Sequence, residues 1–175
     1  MTDHLGFFIR LALVTIFITE LLHSPLHAQT TPNTADMVEQ LKTQPPRTRS
    51  LRNLTIESSA PEAKPSLSLL IQFDFNSARV KPESQQALSN LAQALQSKEL
   101  AEAKFAVEGH TDAKGRADYN LKLSQQRADA VRDYLASNGV IDARLNAVGK
   151  GSTELANTAD PLAADNRRVR IVNLN

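Results

Sequence analysis

The chain has 175 residues, of which 22% are charged and 41% hydrophobic, the proportions of a soluble protein with one modest domain plus appendages. Its 20 basic and 19 acidic residues give a net charge of +1, which offers no argument for nucleic acid as a partner. The absence of cysteine excludes disulfides, thiol catalysis, cysteine-rich metal sites and a lipidated cysteine.

Residues 1–28 read as an export signal. Arg10 precedes an apolar run over residues 11–22 that Glu20 interrupts, and His23-Ser24-Pro25-Leu26-His27-Ala28 is suited to cleavage after Ala28. The rival reading keeps this segment as an inner-membrane anchor, although residues 5–22 barely reach spanning length and carry two charges. Cleavage would leave 19 basic and 17 acidic residues and a product in the periplasm. Residues 29–64 are rich in Thr, Pro, Gln and Ala and are broken by Pro45-Pro46 and Pro61, so they read as a flexible linker with little core of its own. Within them, residues 36–42 allow a short helix and residues 54–57 a short edge strand, while the basic run over residues 47–52 is expected to be solvated.

From residue 65 to the end the pattern changes to packed structure. Residues 67–73 predict a strand, and residues 82–97 a helix with Pro82 in its first turn and Leu88, Leu91 and Leu95 at core spacing. Residues 105–108 predict a second strand, followed by a glycine-flanked loop, Gly109-His110-Thr111-Asp112-Ala113-Lys114-Gly115. A long helix over residues 117–137 stops at Asn138-Gly139. Residues 146–148 and 168–174 predict two further strands, with a helical turn between residues 157 and 165. The fold class that follows is α/β, an α+β sandwich of βαβαβ type with one mixed sheet covered by helices on one face.

One charge pair stands out. Arg127 lies fifteen residues after Asp112. On a helical wheel started at Asn120, the residues Asn120, Ser124 and Arg127 fall at about 0°, 40° and 340°, inside the stripe formed by Leu121, Leu123, Ala128, Val131, Tyr134 and Leu135. An arginine cannot shed its charge, so a guanidinium in that stripe needs an anion, carbonyls or a wet cleft. Two readings stand at this point: a plain Asp112–Arg127 salt bridge, or a cleft in which Asp112 takes an ammonium and Arg127 a carboxylate of one ligand.

Other signals for chemistry are weak. His110 has no second histidine or metalloprotease motif near it, and it is expected to be a hydrogen-bonding loop residue. Gly149-Lys150-Gly151-Ser152-Thr153 lacks the spacing of a phosphate loop and reads as a turn. The residues offer no metal site, no cofactor site and no catalytic set. Arg167 and Arg168 are left open between ligand contacts and the alternative of one paired and one solvated arginine.

Taken together, Phe73-Asp74-Phe75-Asn76-Ser77, Gly109-His110-Thr111-Asp112, Tyr119-Asn120, Leu123-Ser124, Arg127-Ala128, Val131, Tyr134-Leu135, Gly139 and Asn166-Arg167-Arg168-Val169 resemble the OmpA-like peptidoglycan-binding domain. The resemblance covers about residues 66–174, and several separated motifs in order make it specific. It implies non-covalent binding of the meso-diaminopimelate of the peptidoglycan stem peptide, with Asp112 on the ammonium and Arg127 on the carboxylate. Asn120, Thr111, Asn76, Ser77 and Arg168 are carried over as further ligand-binding residues. The chain departs from the family in Ser152-Thr153-Glu154-Leu155-Ala156, where the family often has a proline. The implied role is a periplasmic, wall-associated anchoring protein that is not an enzyme. The alternatives are a wall-binding subunit of an inner-membrane-anchored machine and an enzyme acting on wall peptides.

Overall fold

Alternation of apolar and polar residues builds a four-stranded sheet. The strands are β3 (Ser66–Leu69), β4 (Phe105–His110), β5 (Leu145–Gly151) and β6 (Val169–Asn173), in the order β3-β6-β4-β5. In this computed structural model the described residues are 31–42, 49–51, 54–56 and 63–175; the expected export signal lies outside them. β6 runs antiparallel to both β3 and β4, whereas β4 and β5 are parallel. The parallel pair is connected through α3 (Ala117–Ser137), and α2 (Gln85–Leu95) connects β3 to β4. A mixed sheet results, as the sequence predicts.

Gly109 fixes which face the long helix covers. A Cβ there would overlap the Ser124 carbonyl of α3, so Phe105, Val107 and Gly109 point at the helices. Register places Val169 beside Gly109 and Ile171 beside Val107, so these β6 residues share that face. Phe105, Val107, Ile171, Leu88, Leu91, Leu95, Ala128, Val131 and Leu135 are buried there as one core. Glu108, His110 and Arg170 belong to the opposite face, with Glu108 beside Arg170.

Two departures from sequence expectation bear on the domain boundary. The N-terminal stretch expected to be linker contains α1 (Thr34–Leu41), capped by Asn33, whose side chain accepts a hydrogen bond from the Asp36 amide at 2.9 Å. Its Met37 and Leu41 are fully buried in the main core. Residues of this stretch are therefore part of the fold, because Met37, Val38 and Leu41 present one apolar face to it. The second departure is the pairing of β1 (Arg49–Leu51) with β2 (Leu54–Ile56) as a separate two-stranded sheet, where the sequence offers only an edge strand.

Element boundaries shift modestly. β3 ends at Leu69, four residues before the predicted end, and Phe73 makes only an isolated bridge to Val80. β5 runs on to Gly151, three residues past the predicted strand end, and the turn expected over residues 149–153 is confined to its second part, where the Thr153 amide donates to the Lys150 carbonyl at 3.2 Å. The glycines of β5 have a packing cause, since a Cβ on Gly149 would lie 2.6 Å from the Gln125 amide nitrogen of α3. β5 is an edge strand, and α3 satisfies its free backbone groups: the Gly149 amide donates to Gln125 Oε1 at 2.7 Å and the Gly151 amide to Ser124 Oγ at 2.8 Å.

Candidate binding site

The Asp112 loop leaves the C-terminal end of β4 and is fixed by backbone and side-chain hydrogen bonds. The Thr111 amide donates to the Gly151 carbonyl at 2.8 Å, and the Ala113 amide to the Pro161 carbonyl at 3.0 Å. Asn120, buried on the first turns of α3, donates Nδ2 to the carbonyls of Asp112 at 3.3 Å and Lys114 at 3.0 Å. Asn120 thus positions the loop. Gly115 takes the left-handed backbone, φ +93°, that lets the loop turn into the helix.

Asp112 and Arg127 do not pair with each other. Asp112 accepts the Lys114 amide on Oδ1 at 3.1 Å and the Arg167 guanidinium on Oδ2 at 2.8 Å. Arg127 donates Nε to the Ser77 carbonyl at 3.2 Å and lies over the Phe73 ring at 4.8 Å. Among the described residues no carboxylate lies within ion-pair distance of Arg127. Burial lowers its pKa, with Tyr119 and Asp112 opposing the shift and Arg167 adding to it. The plain salt bridge is therefore not the arrangement of this loop and helix.

Arg144 shows what a satisfied arginine looks like in the same fold. Its guanidinium donates to the carbonyls of Ala103, Leu95 and Leu100 at 2.8, 2.9 and 2.6 Å and lies over Phe105 at 5.6 Å. Arg127 has the ring but a single carbonyl. Its terminal nitrogens retain the bidentate geometry that suits a carboxylate.

The Asn76-Ser77 turn approaches the same place through its backbone. Asn76 has φ +52°, and Ser77 Oγ accepts the Arg79 amide at 2.9 Å while the Ser77 carbonyl faces Arg127. Thr111 is buried with its hydroxyl unpartnered. Arg168 goes elsewhere: its Nη2 donates to the Glu154 carbonyl at 3.1 Å, and it is the preceding arginine that reaches Asp112. The cause is strand alternation, since Val169 and Ile171 face the core and Arg168 precedes them by an odd step. Leu121, assigned to the apolar stripe by the wheel, is half exposed.

The sequence-based expectation for His110 is also corrected. It is the last residue of β4, is almost fully buried, and neither ring nitrogen has a hydrogen-bond partner. Glu108 Oε2 lies 3.7 Å from Nε2. Desolvation first, then the positive charges of Arg168, Arg170 and Lys150, lower its pKa from 6.5 to about 4 against the opposing effect of Glu154. The imidazole is neutral at neutral pH.

Two residues of the site belong to the motifs quoted above but receive no site role from the sequence. Phe73 supplies the ring beneath Arg127. Asn166, fully buried, donates Nδ2 to the carbonyls of Asn157 and Asp160 and accepts the Asn157 amide, which fixes the loop before Arg167. An asparagine beside two arginines in an otherwise polar loop was the available signal for the second.

The OmpA family profile matches residues 72–169, more than half of the chain and the whole of the region just described. The chain belongs to the OmpA family. Among curated relatives, this OmpA-family chain is 42% identical over 100 residues to outer membrane porin F of Pseudomonas aeruginosa, covering 57% of the chain and 27% of that protein. It is 39% identical over 100 residues to the peptidoglycan-associated lipoprotein of Brucella melitensis, covering 56% of the chain and 58% of the relative. The chain thus spans less than two thirds of either protein. The crystal structure of the peptidoglycan-associated lipoprotein from Burkholderia pseudomallei matches with a TM-score of 0.51 at 36% identity, covering 61% of this chain and 88% of that one. No helix among the described residues is long and apolar enough to cross a membrane.

Proposed function

We propose that this OmpA-family domain binds peptidoglycan non-covalently and acts as a wall-associated anchoring protein of the periplasm. The ligand is the D-centre of meso-diaminopimelate in the stem peptide, whose ammonium goes to Asp112 and whose carboxylate goes to Arg127. The observation that carries this reading is Arg127, a partly buried guanidinium on a ring and one carbonyl, with Asp112 nearby but bonded to a different arginine. A relative and a solved structure, each called a peptidoglycan-associated lipoprotein, support it.

The chemistry needed is recognition alone. Charge-assisted hydrogen bonds contribute roughly 1.5–3 kcal/mol each, so two anchors and a few amides give modest affinity for one stem peptide. Retention on the wall then comes from the repetition of the ligand along the polymer. Thr111, Asn120, Asn76 and Ser77 shape the cleft, Asn120 by holding the loop and Ser77 through its carbonyl. The test is a pull-down with diaminopimelate-type and lysine-type wall material. Retention on the first and loss on the second is expected, because lysine lacks the carboxylate assigned to Arg127; equal retention on both would remove that assignment.

A further inference from the structure

The charge count around the cleft is unequal. Two guanidinia, of Arg127 and Arg167, face one carboxylate, Asp112, and the neighbouring Arg116 is already paired with Asp118 at 2.9 Å. A zwitterion adds one charge of each sign. Its carboxylate satisfies Arg127, and its ammonium competes with Arg167 for Asp112.

Arg167 is built to move. Its side chain is 48% exposed while that of Asp112 is 14% exposed, so the ion pair lies towards solvent, where such pairs are weak and readily exchanged. Its backbone is fixed: the Arg167 amide donates to the Ala164 carbonyl at 2.9 Å, and Asn166 locks the preceding loop. The guanidinium can thus change partner by side-chain rotation alone. Arg167 and Arg127 are also close enough to repel, which favours a guest that brings more negative than positive charge.

Resting on the diaminopimelate reading above, we propose that Arg167 is a specificity-determining residue that exchanges Asp112 for a second carboxylate of the ligand when the ammonium arrives. In the stem peptide that group is the free α-carboxylate of the glutamyl residue adjoining diaminopimelate. The cleft then selects ligands with two carboxylates per ammonium, and amidation of the glutamyl carboxylate weakens binding.

The experiment is calorimetric titration of soluble disaccharide tripeptides ending in meso-diaminopimelate whose L-centre carboxylate is amidated, with the glutamyl α-carboxylate free or amidated. They are titrated into the wild-type chain and into Arg167→Gln, Arg167→Lys and Arg127→Ala variants. The wild type is expected to favour the free carboxylate by up to about fivefold, the range of an exposed ion pair. Arg167→Gln should bind both ligands alike, and Arg167→Lys should restore part of the preference. A wild type indifferent to amidation, or an Arg167→Gln variant that keeps the full preference, overturns the inference. Arg127→Ala separates the two readings: unchanged affinity there removes the diaminopimelate assignment itself, whereas loss there with a flat response at Arg167 removes only the second carboxylate.

Discussion

Lowering the pH should destabilise this domain through His110 before its carboxylates matter. The imidazole is almost fully buried without hydrogen bonds, and its pKa is lowered to about 4 from the 6.5 of the unfolded chain. The unfolded state therefore takes up a proton first. The contribution is fully present above pH 6.5 and is lost progressively as the pH falls to about 4, with no further loss below. At about 1.4 kcal/mol per pH unit, the full window corresponds to about 3 kcal/mol, a large part of a small domain's stability. Glu154 acts lower down, because its hydrogen bond to Lys150 holds its carboxyl below the ordinary value, and that contribution is lost only as the pH falls below about 4.5. Urea denaturation of the wild type and a His110→Asn variant across this range isolates the histidine, since the slope with pH is compared and any constant cost of the substitution cancels. Parallel loss of stability by both proteins between pH 6.5 and 4 would refute the reasoning.

Packing makes three further predictions, read by thermal or chemical denaturation. Leu41→Ala should cost about 2–5 kcal/mol, the range for a fully buried leucine, whereas a leucine in a detached linker would cost almost nothing. Gly149→Ala should destabilise by about 1–3 kcal/mol or more, because the added methyl meets the α3 backbone at Gln125. Gly115→Ala meets open space, so its cost should be confined to the left-handed backbone, about 1–2 kcal/mol.

Sequence reasoning reached the sheet, both long helices and the Asp112 loop because each carries a local periodic or turn signal. Ala117–Ser137 is recovered residue for residue, since its apolar spacing runs cleanly into Asn138-Gly139. The fate of α1 was not legible, because the burial of Met37 depends on a face supplied by α2 and β3 far along the chain. Gly149 shows the same limit from the other side, since the strand predicted to end at residue 148 runs on to Gly151 where the close approach of α3 requires glycine. The wheel placed Arg127 and Ser124 inside the apolar stripe correctly, yet it could not distinguish their fates. Ser124 is consumed by the edge of β5, while Arg127 bonds to the Ser77 carbonyl and lies over the Phe73 ring. The partner of Asp112 was beyond the sequence as well, because Arg167 and Arg168 differ only in how the loop enters β6.

The most direct measurement is co-sedimentation of Asp112→Ala and Arg127→Ala variants with purified diaminopimelate-type sacculi, with a thermal melt of each. Asp112→Ala loses a solvent-side ion pair and Arg127→Ala one hydrogen bond and a ring contact, so both variants should stay folded with only modestly lowered melting points, and neither should sediment. Variants that sediment like the wild type, or that lose binding only because they unfold, would contradict a cleft held open for a zwitterion.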